Sequence, residues 1–216
     1  MTDACGVSLA LLSAVVSAVF AAFVLVQHAR HRRPYQLVWG IGLVMFAVAA
    51  LAGFFARSGG ANELEYRLFY LFGAILNVAW LALGTTLLLA PRRVAAAATF
   101  AVILLSLVGA VAVFTSPVDL AAAVDSGRGF QGAPRLLAGI GSGVGSLVLV
   151  GGALWSGWRY ARRRHQGRRA LANLIIAAGV VIAAIGGTAT FTGGSGIVEM
   201  TNLVGITVIF LGFLLV

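Results

Sequence analysis

Glu199 and Asn202, a carboxyl and an amide three residues apart inside an apolar run, are where this 216-residue chain comes nearest to chemistry. One turn of helix sets both on one face, and an acid within an apolar span marks a site by default because burying it is costly. Glu199 is the sole acid in any such run; Ser195 extends its face, and Thr188, Thr190 and Thr192 close the preceding run. The plain alternative is an interfacial acid, since near a membrane boundary the carboxyl reaches headgroup water.

Tyr66, Tyr70, Gly73, Asn77, Trp80 and Gly84 recur at spacings of three and four residues, which aligns them on one helical face. That face points inward: an amide in hydrocarbon needs a partner, and glycines let a neighbouring helix approach. Leu71, Ile75, Val78 and Ala82 form an aliphatic opposite face suited to lipid. Asn77 either bonds across to another helix, with Gly73 and Gly84 as packing notches, or lines a ligand pocket. Tyr66, Arg67 and Tyr70 match the depth of Glu199, so a polar chamber is expected there, with Arg67 as counter-ion to Glu199 or Glu65. The candidate ligand-binding set is Tyr66, Arg67, Tyr70, Asn77, Trp80, Glu199 and Asn202.

Other chemistries fit poorly. His28, His31 and His165 lie in arginine-rich connectors without a carboxylate beside them, a weak basis for zinc or haem. Zinc hydrolases of the ceramidase and adiponectin-receptor kind use intramembrane His and Asp, which these runs lack. No Ser-His-Asp or Cys-His set can be assembled, and no cofactor is expected. Gly139, Gly141, Ser142, Gly143, Gly145 and Ser146 lie within an apolar run and follow no strand, so they signal close helix contact rather than a phosphate loop. The partner helix is internal or belongs to a second protomer docking on Gly139, Gly143 and Gly145. Thr192 to Gly196 make a tight turn, and the single Cys5 forms no intrachain disulfide.

The elements that position these residues are long helices. The chain is 61% hydrophobic and 10% charged, against about a quarter charged in soluble proteins. Runs long enough to cross the hydrocarbon core cover 7–27, 35–56, 67–90, 94–115, 134–158, 171–191 and 196–216. The first is longer than a signal-peptide core and lacks a basic leader, so it reads as a span. All basic residues are arginine, and 11 of the 15 fall in three connectors: Arg30, Arg32 and Arg33; Arg92 and Arg93; Arg159, Arg162, Arg163, Arg164, Arg168 and Arg169. Basic connectors stay inside, which predicts an all-α integral membrane protein of seven spans, N-terminus outside and C-terminus inside, in a bacterial-type plasma membrane. The net charge of +9 then meets anionic lipid headgroups rather than nucleic acid. Pro34, Pro91, Pro117 and Pro134 all fall at span ends, which favours straight helices.

Sliding the chain by 136 residues sets Arg32 and Arg33 on Arg168 and Arg169, Val44 on Val180, Ala47 on Ala183, Phe55 on Phe191 and Glu63 on Glu199. Either this is a parallel repeat of two three-helix halves around span four, or hydrophobic composition has converged. The 3+1+3 layout is shared in span count with SWEET-type sugar transporters and microbial rhodopsins. The transporters' Pro-Gln motif is absent, and without lysine no retinal Schiff base forms.

The run Glu65-Tyr66-Arg67-Leu68-Phe69-Tyr70-Leu71, preceded by an arginine-rich first inner loop and by Trp39 early in span two, resembles the seven-span sensor module of bacterial histidine kinases. The resemblance implies sensing of a ligand or of membrane state, relayed to a cytoplasmic partner; the given chain ends at Val216 before any kinase region. The reading is therefore a non-enzymatic, receptor-like module that binds a small or lipidic ligand, or a partner helix, in the outer half of the bundle. The alternatives are a small transporter of two three-helix halves and an accessory subunit of a membrane complex.

Overall fold

A computed structural model describes residues 2–59, 62–120, 122, 129–162, 166–192 and 198–215, with side chains described from residue 6 onward except for Arg57 and 188–192. Cys5, Thr188, Thr190, Thr192, Ser195 and the 192–196 turn accordingly lie outside the described side chains, as does His165.

The described residues form α1 (Thr2–His31), α2 (Pro34–Ser58), α3 (Glu63–Leu89), α4 (Arg92–Thr115), α5 (Ala133–Ala161), α6 (Gly167–Thr192) and α7 (Val198–Leu214). The first six are long and apolar enough to cross a membrane. The seventh has 17 residues, about 26 Å at helical rise, somewhat short of the roughly 30 Å hydrocarbon core.

The helix ends follow local chemistry. Pro34 sits in the first turn of α2, where its missing amide would have been unpaired anyway. The turn before it is closed by the Arg32 amide on the His28 carbonyl at 2.7 Å and by His28 Nδ1 against the Arg33 carbonyl at 2.8 Å. The start of α3 is four residues earlier than the apolar run suggests. There the Asn62 side chain accepts the Glu65 amide at 2.8 Å while the Glu65 carboxylate takes the Asn62 amide, a capping box that pulls Glu63 into the first turn.

Six helices pack as a closed ring in the order α1, α2, α3, α5, α6, α7 and back to α1. Small residues and side-chain to carbonyl bonds set the spacing, as expected where lipid supplies no hydrophobic drive between helices. Ser17 donates to the Leu43 carbonyl at 2.9 Å and ties α1 to α2; Trp39 Nε1 donates to the Leu81 carbonyl at 3.0 Å and ties α2 to α3. Gly205 and Gly179 interlock between α6 and α7, where a Cβ on Gly205 would stand 2.8 Å from that of Ala183. Phe20 on α1 stacks on Phe210 of α7, centroids 4.7 Å apart, and closes the ring. Helix α4 lies outside, packed on α3 and α5, with Phe100 and Leu107 left 70% and 64% exposed.

Two expectations about α3 fail. Its supposed lipid face is interior: Leu71, Ile75 and Ala82 are buried, Ile75 completely, and Val78 is half-buried. The helix is central, held by α2 on one side and by α4 and α5 on the other. Nor is it a straight α-helix, because Phe69–Leu76 is π-helical. Proline counting misses such a break, since it arises from hydrogen-bond competition instead of a missing amide.

Candidate functional site

At the end of the ring remote from the arginine connectors, α1, α3, α5 and α7 begin and α2 and α6 end, and there the helices enclose a cavity of about 490 Å³. All six ring helices contribute to its wall.

The π segment shapes one side. In it the Asn77 amide reaches back to the Phe72 carbonyl, five residues away, which releases the Val78 amide and the Ala74 carbonyl that an α-helix would have joined. Both are satisfied by side chains of the cavity wall: Asn77 Oδ1 accepts from the Val78 amide, and Ser142 on α5 donates to the Ala74 carbonyl. Asn77 thus bonds to its own backbone, contrary to the expected bond across to another helix, and it is Ser142 that crosses. Asn77 is 4% exposed, and its Nδ2 donates to no described residue.

Tyr70, Asn77, Glu199 and Asn202 line this cavity together. Glu199 lies in the first turn of α7 and is buried; the amide ends of a helix start favour a carboxylate there. Asn202 follows one turn later on the same side.

Tyr66, Arg67 and Trp80 are near but do not line it. Arg67 is not the counter-ion of Glu199 or Glu65. Its Nε and Nη2 hold Glu63, one turn back, while Nη1 and Nη2 donate to the carbonyls of Val113 and Ser116 at the end of α4. A buried guanidinium thus fastens the first turns of α3 to the end of α4, a geometry that its planar fork suits. Tyr66 accepts the Gly129 amide at 3.0 Å through its hydroxyl, and Trp80 donates to Ser106 on α4 at 3.2 Å. The single stripe read from the sequence is split by the π segment: Tyr70, Gly73 and Asn77 face the cavity, Trp80 faces α4, and Gly84 faces α2, where a Cβ would collide with Trp39.

Two wall residues escape sequence reasoning. Phe130 falls in the connector read as an outer loop, yet it is 1% exposed, stacks on Tyr66 at 5.4 Å and meets Tyr70 edge-on at 4.9 Å. Arg135 stands in the first turn of α5 and brings a guanidinium to the same wall as Glu199. Its signal was a lone arginine just after Pro134, at the end opposite the arginine-rich connectors.

The glycines of α5 divide into two sets. A Cβ on Gly141 would come within 2.2 Å of the Ile75 carbonyl oxygen and one on Gly145 within 3.0 Å of Val78, so Gly145 packs internally and is not open to a second protomer. Gly139 and Gly143 meet nothing within 4 Å.

The wall is largely apolar, from Ala10, Phe46 and Ala49 to Val180 and Ile206, with polar groups set into it by several helices: Ser13 on α1, Tyr70 and Asn77 on α3, Arg135, Ser142 and Ser146 on α5, and Glu199 and Asn202 on α7. Asn202 and Ser146 hydrogen-bond to no described residue. Among the described residues no group of three or more His, Cys, Asp or Glu is placed to hold a metal ion; His28 and His31 instead bond separately to the carbonyls of Arg33 and Gln27. Comparison of the chain with family models, with curated proteins and with solved structures finds no match to any of the three.

Proposed function

We propose that the protein is a seven-span, receptor-like binding module, N-terminus outside, that takes a small amphipathic ligand into the cavity between its ring helices. One observation carries the reading: a 490 Å³ space ringed by six helices, with a buried carboxyl, an arginine and amides set into a largely apolar wall. A purely structural bundle would have filled that space with side chains, as protein interiors are close-packed. With the arginine connectors inside, the cavity belongs to the outer half, where a ligand from outside or from the outer leaflet reaches it.

The test is a thermal-shift series on the full chain in phosphatidylcholine nanodiscs with palmitate, lysophosphatidylcholine and free amino acids as probes. A ligand bound only by the folded state raises the midpoint. The expected result is stabilisation by at least one probe in the wild type, weakened in Glu199→Gln and lost in Asn202→Phe, which fills the space. Equal shifts in wild type and Asn202→Phe reject the cavity. Orientation is tested with single cysteines at Gly59, Ser126 and Gln166 in a Cys5→Ala background: an impermeant thiol reagent should reach only the first two from outside, and labelling of position 166 in intact cells reverses the topology.

A transporter is the second reading, supported by the course of the chain. Helices α1–α2–α3 and α5–α6–α7 follow each other around the ring in the same sense, with α4 outside. The 136-residue shift sets Pro34, first in α2, on Ala170 in the first turn of α6, and Glu63, first in α3, on Glu199 in the first turn of α7. Two such halves around a cavity form the usual frame for alternating access. Uptake or efflux by proteoliposomes separates it from a receptor.

A further inference from the structure

Polar groups on three sides of the cavity make no bond to the protein. Tyr70 is 6% exposed and Asn77 4%, yet the Tyr70 hydroxyl and the Asn77 Nδ2 have no hydrogen-bond partner among the described residues, and the same holds for Ser146 on α5 and Asn202 on α7. Neither Tyr70 Oη nor Asn77 Nδ2 is a fully occluded atom, and both side chains belong to the cavity wall, so the surface each keeps is turned to that space. Burying such groups without a partner costs stability, and native interiors hold few of them. Here they gather around one space. The acid and the base of the same wall are in the opposite condition, since Glu199 and Arg135 each already engage another group of the chain.

We propose that the cavity takes an uncharged, lipid-soluble molecule bearing carbonyl or hydroxyl oxygens, read by hydrogen bonds from Tyr70, Asn77, Ser146 and Asn202 rather than by an ion pair. This rests on the cavity reading above and adds the ligand's class. The open groups decide the charge: an ionised guest taken out of water needs a partner, and the wall's own acid and base are engaged already, so seating one disrupts an existing contact. The donors decide the oxygen. Asn77 Oδ1 is occupied by the Val78 amide, which leaves a nitrogen that can only donate, so the guest must present an acceptor to it. The remainder of the wall decides the solubility, because Phe46, Phe69 and Phe130 offer hydrocarbon surface in a space of the size that holds small organic molecules.

The experiment measures thermal shifts of the full chain in phosphatidylcholine nanodiscs with decanoylglycerol, decanoate and decane, all at one alkaline pH where the acid is ionised. The three share a chain length and differ in the head. Decanoylglycerol should raise the midpoint with half its effect at a mole fraction about tenfold below that of decanoate, and decane should do little, since a site built to hydrogen-bond an oxygen rejects the analogue lacking it. Tyr70→Phe with Ser146→Ala removes two hydroxyl oxygens and no bond within the protein, so without probe it should melt no lower than the wild type, while most of the decanoylglycerol shift disappears. Asn202→Phe, which fills the space, should lose every shift. Decanoate that matches or outdoes decanoylglycerol overturns the uncharged class; an equal effect of decane, or a full shift in the hydroxyl-free variant, overturns the hydrogen-bond readout. A hydroxyl-free variant that melts lower without probe assigns those groups to the fold and overturns it too. All of these leave the cavity reading standing as long as Asn202→Phe abolishes the shifts. Shifts that survive in Asn202→Phe, or none with any of these probes or those above, overturn both.

Discussion

Helices α3 and α4 are neighbours in sequence, both apolar and both long enough to cross a membrane, yet 44% of the apolar stretch of α3 is buried and only 11% of that of α4. Apolar content does not separate them, because lipid and protein interior are equally apolar partners. What separates them is residue type. α3 mixes Tyr66, Tyr70, Gly73, Asn77 and Gly84 into its length, whereas Phe100, Ile103, Leu104, Leu107 and Val111 give α4 a uniform aliphatic and aromatic exterior. In a bilayer, small and hydrogen-bonding residues mark the helix that others gather around; hydropathy alone does not, since α1, in the ring, is more hydrophobic than α4, outside it.

The sharpest way to break this contrast is to prevent α5 from reaching α3. A side chain at Gly141 meets the backbone oxygen of Ile75 at 2.2 Å, and backbone cannot swing aside, so Gly141→Leu should leave no cooperatively folded protein. Gly143→Leu, two residues on and facing open space, should purify and melt like the wild type. Size-exclusion profiles and thermal melts of the pair decide the matter, and equal behaviour would mean the α3–α5 packing is not what holds the ring.

Next in size is a matched pair of truncations. Ile75 is fully buried, and Ile75→Ala should cost about 2–5 kcal/mol of stability as a core cavity does. Leu107→Ala removes the same three carbons from a side chain 64% exposed and should stay within about 0.5 kcal/mol. Unfolding in graded detergent mixtures reads both. Comparable losses would erase the distinction between central and peripheral helix.

Asn77→Leu probes the reason α3 is not a plain α-helix. It strands the Val78 amide, so the π segment must either relax to α geometry or keep an unpaired donor; the expected loss is on the order of 1 kcal/mol, the usual scale of such bonds in membranes. A faster hydrogen exchange confined to residues 73–78 is the accompanying signature, and unchanged exchange there would show that Asn77 does not sustain the segment.

These same residues show where the sequence was legible. Helix number and order followed from apolar run lengths and arginine connectors, because both report on a slab of fixed thickness. Tyr70, Asn77, Glu199 and Asn202 do line one cavity, and the three- and four-residue spacings within each helix are what put Tyr70 with Asn77 and Glu199 with Asn202. The lipid face of α3 was misread because α4 covers Leu71 and Ile75 and α5 covers Val78, contacts that no periodicity within α3 announces; the π segment at Phe69–Leu76 then turns the residues beyond it, Trp80 and Gly84, toward different neighbours. The first turn of α3 was legible in principle from Asn62 and Glu65, whose spacing is that of a capping box. Phe130 was not. A loop aromatic that folds back depends on the distant Tyr66 and Tyr70, and no local pattern carries that information.

The smallest effect concerns the side-chain to side-chain bond that joins the two compared helices near their middles, Trp80 Nε1 to Ser106 Oγ at 3.2 Å. Ser106 also donates to the Val102 carbonyl of its own helix at 2.7 Å, so its hydroxyl remains satisfied when the indole is removed. Trp80→Phe keeps an aromatic ring against the Tyr66–Tyr70 cluster that Trp80 borders and deletes only the donor. The loss should therefore fall below about 1 kcal/mol, and Ser106→Ala should cost no more, with the double variant adding little to either. If the double-mutant cycle instead returned a coupling as large as that expected for Ile75, α4 would be held by specific polar contact and not merely laid against α3, and residue type would have misjudged which helix the bundle needs.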